Sequence, residues 1–433
     1  MLEFLKKAIQ QFSNHNILII GDIMLDQYTF GQVSRVSPEA PVPILKKQAD
    51  QYVLGGAANV AHNLAALGAK VSICGFVGDD PRRDIVLKLL KEKGIGASGI
   101  VTRKNQPTTL KLRFVSGGHQ LLRLDDETDA NVPSAEEAEL LDAIKKVLPR
   151  AAAAILSDYD KGCFSEKLAR EIIELCRKEN KIVVADIKPQ NKNWFKGVHL
   201  LTPNLKEGRE ITGLMEPEEV GQKLSADFGA DVLLTLGAEG MRVFRKDGSS
   251  KSISSKKVKV FDVSGAGDTV VAVAALGLLS GLDLEAAAIL ANHAGGIVVQ
   301  KSGTAVVTPE ELSSVLGNEN HIDSVNVVPK VWGYEKWLEN NDRYCCKLLS
   351  VNKGYQCSLH YHEKKDEMFL VLKGHVRLEV GDETLHMLPG QFARISPGTR
   401  HRFTGVEDSE IMEVSTHHDE ADSYRIEESR KVE

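Results

Sequence analysis

Long hydrophobic stretches are what this sequence most plainly lacks. Its apolar runs stop well short of the roughly 18 consecutive residues a bilayer span requires, so no helical membrane anchor is expected. Cysteine is sparse too: Cys74, Cys163, Cys176, Cys345, Cys346 and Cys357 form no CxxC pair and no framework spacing. That argues against a disulfide scaffold and for a reduced, cytosolic compartment. Neither sign of charge dominates. With 54 basic against 60 acidic residues the formal net charge is −6, which gives no reason to expect nucleic acid or an anionic membrane as partner. Any phosphate must therefore be met by local groups. The first 16 residues lack a signal core; Leu2, Leu5, Ile9 and Phe12 recur at helical spacing among lysines, as in an amphipathic surface helix. What is present, 42% apolar and 26% charged residues over 433 positions, describes a globular protein of two or three domains.

The most informative stretch is Asp262-Val263-Ser264-Gly265-Ala266-Gly267-Asp268-Thr269, followed at once by the apolar run Val270–Leu279. Small residues lead into a helix whose first amides have no intrahelical partner, and those amides share a direction with the positive end of the dipole. Gly265 and Gly267 let the backbone approach a phosphate. Asp268, in the first turn, is placed to orient a substrate hydroxyl and take its proton. Taken alone, the GAGD motif is equally a loop whose acidic residue suits the helix dipole.

Upstream, Asn16–Ile20 reads as a buried strand that delivers Asp22 at its carboxyl end, the edge where open α/β sheets bind ligands; Asp22 equally suits a turn cap. The segment 37–43 holds three prolines and is expected as an edge segment crossing away from the main sheet. Gly55-Gly56 open a helix of small residues in which Asn59 is the polar exception. Lys70–Phe76 is a strand, and Asp79-Asp80-Pro81 is a helix start. Thr108–Val115 and Gln120–Leu124 form a hairpin around Gly117-Gly118, with Lys111 and Arg113 on one face, as solvated cations or as a cationic face toward a sugar phosphate. From Ala151 strands and helices alternate, which implies a parallel sheet with crossover helices; Asp158, Asp186 and Thr202 fall at strand ends, on the rim of Asp22.

Residues 1–318 resemble the ribokinase/PfkB carbohydrate kinase superfamily. The blocks GGAANVAHNLAALGA (55–69) and DVSGAGDT (262–269) carry the likeness, in that order. Within it the chain is similar to bacterial D-glycero-β-D-manno-heptose 7-phosphate kinases, the kinase half of ADP-heptose synthesis. That narrower likeness rests on GDIMLDQY (21–28), SRVSPEAPVP (34–43), TTLKLRF (108–114), QLLRLD (120–125), LSDYDKG (156–162) and LTPNLKE (201–207). The resemblance implies a parallel sheet with helices on both faces and a small β lid over the sugar, and lids of this kind often pair into homodimers. It implies Asp268 as catalytic base and Gly265, Ala266 and Gly267 as anion hole. Asp22, Gly55, Gly56, Asn59, Lys111 and Arg113 are then expected to hold the sugar. Asn204 and Glu207 are expected to organise Mg²⁺ and phosphates, with Lys188, Thr235, Gly237 and Asn292 on the ATP side. Transfer of the ATP γ-phosphoryl group to an anomeric hydroxyl is the implied reaction; a fructose or hexose-phosphate kinase of the same fold is the rival.

At Gly317–His321 the helical pattern breaks, and the domain boundary is expected there, with a second domain over 319–433. Short alternating runs with turns at Gly381-Asp382, Pro389-Gly390 and Pro397-Gly398 argue an all-β sandwich or barrel. Within it lie His360, His362, Glu367 and, downstream, His401. Alternate strand residues face one side, so the first two histidines can grip one ion, and Glu367 and His401 complete a three-histidine, one-carboxylate site. The spacing from Gly354 through Gly374, Gly390 and Gly398 resembles the cupin superfamily, and WGYEKW (332–337) with SLHYHEKKDE (358–367) is similar to cupins of type II phosphomannose isomerases. The second motif departs from the usual pattern at Ser396, where proline is common, and at Gly405, where asparagine is. The ion expected is a divalent transition metal (Zn, Mn, Fe, Co or Ni). A sugar-phosphate isomerase is one reading of this domain, and a non-catalytic sugar-binding or oligomerising module is the other. His417 and His418 are expected to be solvent-exposed.

Overall fold

The computed structural model describes residues 2–128, 132–255, 258, 260–301, 303–317 and 326–432. They fall into two units, Met1–Gly317 and Asn318–Glu433, with separate hydrophobic cores. The polar stretch 318–321, where the boundary is expected, lies outside the described residues.

The first unit begins α1 (Leu2–Gln11), β1 (Asn16–Gly21), β2 (Ile23–Val36), β3 (Pro43–Gly56), α2 (Ala57–Ala66), β4 (Lys70–Gly78), α3 (Pro81–Glu92), β5 (Gly96–Arg103), β6 (Leu110–Ser116) and β7 (His119–Asp126). It continues α4 (Ser134–Val147), β8 (Ala153–Ser157), α5 (Glu166–Lys178), β9 (Ile182–Asp186), β10 (Leu200–Leu201), α6 (Leu205–Thr212), α7 (Pro217–Phe228), β11 (Asp231–Thr235), β12 (Met241–Phe244) and β13 (Ser250–Ile253). Helices α8 (Ala266–Leu279), α9 (Leu284–Val298) and α10 (Pro309–Gly317) close it. Nine strands form one sheet in the order β13-β12-β11-β10-β9-β8-β1-β4-β5, parallel from β11 to β5, with β12 and β13 antiparallel at one edge.

Successive side chains of β1 point to opposite faces: Ile17 and Ile19 enter a core with α2, α8 and α9, while Leu18 and Ile20 enter another with α4, α5 and α7. Helices therefore cover both faces. Helix α8 is buried from Asp268 through Gly277, as its nearly unbroken apolar sequence demands. Among the described residues, no helix is long and apolar enough to cross a membrane.

A second, four-stranded sheet has the order β3-β2-β6-β7, with β2 and β6 parallel. It includes the expected 108–124 hairpin but is larger than the sequence suggests, and the proline-rich segment 37–42 is its turn, not an edge segment. Ser37 N–H donates to Val42 O across that turn, and Pro43 starts β3, a position where its missing N–H costs least. The long β2–β3 hairpin escapes a period-two reading because its register shifts at Phe30/Gly31 and again at Val33/Arg35.

The second unit is all β. Its strands are β14 (Asn326–Lys330), β15 (Gly333–Asn340), β16 (Cys345–Val351), β17 (Tyr355–Gln356), β18 (Leu359–Tyr361), β19 (Glu367–Lys373), β20 (Val376–Val380), β21 (Glu383–Met387), β22 (Phe392–Ile395), β23 (His401–Gly405), β24 (Ser409–Ser415), β25 (Tyr424–Glu427) and β26 (Arg430–Lys431). One antiparallel sheet runs β14-β15-β16-β24-β19-β22. The other runs β21-β20-β23-β17-β26, with β18 joining β23 to β25. Trp332, Phe369 and Phe403 pack edge-on in the core between them.

Candidate active site and metal centre

At the mouth of α8, Gly265 is the N-cap with φ +76°, and a Cβ there would sit 2.9 Å from Asn59 Nδ2. A Cβ on Gly267 would meet nothing within 4 Å, so the first turn stays uncovered on that side. Asp268, one residue on, is buried. It accepts from Asn59 Nδ2 at 2.5 Å and from the Tyr159 hydroxyl. Burial pushes its pKa up to about 6, and those two donors keep it from rising further. Thr269 Oγ1 donates to Asn63 Oδ1 at 2.7 Å, which fixes α8 against α2.

Asp22 lies at the carboxyl end of β1. Its carboxylate accepts from the backbone N–H groups of Tyr159 (2.7 Å), Lys161 (3.2 Å) and Cys163 (2.8 Å), so it organises the loop that carries Tyr159. Burial, then the nearby Asp158, lifts its pKa to about 7. Gly56 has φ +56° where β3 turns into α2, and a side chain at Gly55 would strike Asp26. Asn59 Oδ1 is buried without a hydrogen-bond partner. Arg113 pairs with Asp26 and lies over the Tyr28 ring, 5.2 Å from its centroid, while Lys111 stands 3.5 Å from Asp125 and 3.9 Å from Glu127.

On the adjacent rim Asn204 caps α6: its side chain accepts from Glu207 N–H, and Glu207 Oε2 accepts from Asn204 N–H. Glu207 Oε1 takes Lys188 Nζ, which also lies 5.4 Å from the Tyr159 ring centroid. Asp186 joins this group; burial and then Glu207 hold its pKa far above the usual carboxylate range, and a bound Mg²⁺ would favour its charged form. Thr235 ends β11 and bridges Asn204, and Gly237 follows at φ +63°. Asn292 donates to Ser254 O at 2.9 Å rather than to the Lys188–Glu207 group. Asp268, Asn59, Asp186, Lys188 and Glu207 are thus drawn around Tyr159. Tyr159 is the participant that motif reading passes over, although its place two residues beyond β8, on the rim of Asp22, is a usable signal.

In the second unit His360 on β18 pairs in register with His401 on β23, and the donor nitrogens of His360, His362 and His401 lie within 4.8 Å of one another. Each Nδ1 faces a backbone carbonyl: Ser358 O at 2.8 Å, Asp422 O at 2.8 Å and Thr399 O at 3.0 Å. A carbonyl only accepts, so each Nδ1 carries a proton and each Nε2 is the nitrogen turned inward. Glu367 Oε2 is 3.0 Å from His401 Nε2, and both atoms are buried without a hydrogen-bond partner. Burial takes the His360 pKa down to about 4, so the ring is neutral at ordinary pH. This donor set fits a divalent transition metal.

Above it opens a cavity of about 350 Å³, lined among others by Trp332, Lys347, Lys365, Phe403, Glu413 and His418. His417 is exposed as expected, but His418 is not: it packs against Trp337 with centroids 4.9 Å apart and stands 3.3 Å from Lys347 Nζ. The turn after β24 brings it back over the cavity, anchored by Asn340. The buried Lys347, Lys365 and Glu413 are equally unforeseen, since they come from separate strands and turns.

A model of the pfkB family of carbohydrate kinases matches residues 14–311, and a cupin-domain model matches 347–416. A protein named "Bifunctional protein HldE" from Desulfatibacillum aliphaticivorans is 33% identical over 390 residues, covering 88% of this chain and 80% of that one. Its namesake from Azorhizobium caulinodans is 40% identical over 306 residues, covering 69% and 64%. That from Paramagnetospirillum magneticum is 40% identical over 335 residues, covering 76% and 69%. The chain thus spans between 64% and 80% of the length of these relatives. Escherichia coli phosphofructokinase-2 with potassium superposes with a TM-score of 0.60 at 18% identity, over 70% of this chain and 98% of that one. Arabidopsis thaliana ribokinase with ribose and ATP does so with 0.56 at 18% identity, over the same shares. At such identities the likeness is one of fold.

Proposed function

The chain belongs to the pfkB family of carbohydrate kinases, and from that premise we propose that it phosphorylates D-glycero-D-manno-heptose 7-phosphate at the anomeric hydroxyl. The product would feed nucleotide-activated heptose to surface polysaccharide. Carbohydrate kinases of this kind draw on ATP and Mg²⁺. The observation that carries the chemistry is Asp268, a buried carboxylate with pKa about 6, held by Tyr159 and Asn59 at the uncovered first turn of α8. The choice of acceptor rests on the similarity of segments 21–28, 34–43, 108–114, 120–125, 156–162 and 201–207.

In this reading Asp268 takes the proton of the anomeric hydroxyl, and the Tyr159 and Asn59 donors aim its oxygens. Asn59 Oδ1 accepts a sugar hydroxyl, and Lys111 and Arg113 reach the substrate from the lid, alongside the small residues Gly55 and Gly56. The backbone N–H groups at Gly265, Ala266 and Gly267 meet the charge that spreads over the transferred phosphoryl group. Magnesium, when bound, neutralises phosphate charge; Asp186, Asn204 and Glu207 would hold it, with Lys188, Thr235, Gly237 and Asn292 toward ATP. Asp22 acts through the loop it ties. Leu121, Leu122 and Leu124, all exposed on the lid's outer strand β7, suit a homodimer, and a cytoplasmic setting follows from the need for ATP. The test is phosphorus NMR of heptose 7-phosphate incubated with ATP and Mg²⁺. A new anomeric phosphate resonance is expected; turnover of fructose or a hexose phosphate in its place sinks this acceptor.

For the second unit we propose a divalent transition metal on His360, His362, Glu367 and His401, carried by the three inward Nε2 atoms. The cavity beside them suits a sugar-phosphate isomerase or a non-catalytic sugar-binding module better than an oligomerising one. Isomerase assays on the full chain, with and without chelator, decide between them.

A further inference from the structure

The two oxygens of Glu367 keep different company. Oε1 accepts from Lys365 Nζ, which also donates to Glu413 Oε1 at 2.6 Å; Lys347 Nζ lies 3.6 Å from that same Glu413 oxygen. Oε2 is left facing His401 Nε2 at 3.0 Å and His362 Nε2 at 3.6 Å. All four of these charged side chains are buried. Buried ion pairs seldom stabilise more than apolar groups of the same volume would, so their presence at a cavity floor points to a task other than holding the fold.

We propose that Lys365, anchored by Glu413, restricts Glu367 to one ligating oxygen. An ion held by His360, His362, His401 and that oxygen would then be able to take a ligand with two adjacent oxygens from the cavity. This rests on the metal reading above. Without Lys365, Oε1 is free to turn to the ion and fill a position the ligand would use. The ligand class is an α-hydroxy carbonyl compound or a vicinal diol, the oxygen pattern of a sugar. The walls agree: Lys330, Lys347, Lys365 and Arg425 are matched one for one by Glu335, Glu367, Glu413 and Glu428, so a divalent ion leaves the cavity with a net positive charge that favours an electron-rich chelate.

The test uses the full chain stripped of metal and reloaded with Co²⁺, whose visible spectrum reports coordination. Acetohydroxamate is the probe with adjacent oxygens, and acetamide the control with one. Wild type is expected to bind one Co²⁺ and to change its spectrum with acetohydroxamate but not with acetamide. Lys365→Met is expected to retain Co²⁺, show an altered resting spectrum and bind acetohydroxamate at least tenfold more weakly, with Lys365→Arg restoring much of the response. An unchanged circular dichroism spectrum and melting profile serve as the folding control, since kinase turnover reports on the other unit. Should Lys365→Met not fold, Glu413→Gln must show the same change at threefold or more. Wild-type spectra and probe affinity in the folded variants overturn the role of Lys365. Failure of wild type to bind Co²⁺, or binding unchanged in His360→Ala, overturns the metal reading itself.

Discussion

Replacing Asp268 by Asn removes one charge and one proton acceptor at almost constant shape. Asn59 can adapt, because its Oδ1 has no partner and a turned amide would accept from the new side chain. Turnover is expected to fall on the order of 10²–10⁴-fold without loss of thermal stability, as steady-state kinetics and calorimetry would show. Near-full activity would remove Asp268 as the base. Burial lifts its folded pKa from 3.8 to about 6, so kcat/KM should drop up to tenfold per unit as pH falls below 6, a limb missing in the Asn variant. The Tyr159 hydroxyl lowers that pKa, so Tyr159→Phe should move the limb to higher pH as well as slow turnover. For stability the sign runs opposite to that of a paired carboxylate. The native state binds more protons than the unfolded chain between pH 4 and 6, so this contribution is present at low pH and lost as pH rises through 6. The melting temperature of Asp268→Asn relative to wild type should therefore climb from pH 4 to 7 and then level off.

At the scale of elements, the mouth of α8 depends on one backbone angle. Gly265→Ala puts a Cβ at φ +76° and against Asn59 Nδ2, a cost of about 1–2 kcal/mol. A melting point lower by several degrees and a reduced kcat are expected; an unchanged kcat would mean the amides at this turn do not touch the phosphoryl group. In the four-stranded sheet, Arg113→Ala leaves Asp26 without its partner and should raise KM for the sugar more than it lowers kcat. Elements with uninterrupted patterns were legible in the sequence: the buried runs of β1, β8, β9 and β11, the helix start at Asp80, and the apolar α8. The β2–β3 hairpin was not, because two register shifts break its alternation, and neither was the return of His418 over its cavity, which depends on contacts with Asn340 and Trp337 far back in the chain. Charged partners such as Lys347, Lys365 and Glu413 meet only after β16, β19 and β24 pair, so no spacing along the chain announces them.

Across the whole molecule, the two units keep separate cores, and the candidate residues of each belong to one unit alone. His360→Ala together with His401→Ala should abolish transition-metal binding while leaving Mg²⁺-dependent kinase turnover within about twofold. A large loss of kinase activity would show that the units communicate. The three imidazoles are already held by the carbonyls of Ser358, Thr399 and Asp422, with their Nε2 atoms turned to one another. Among the described residues these contacts set the ring orientations before an ion arrives. The speed of loading should then track how fast each aquo ion gives up its own water, so stopped-flow traces would rank the metals by their solution lability and not by the strength with which they are finally held.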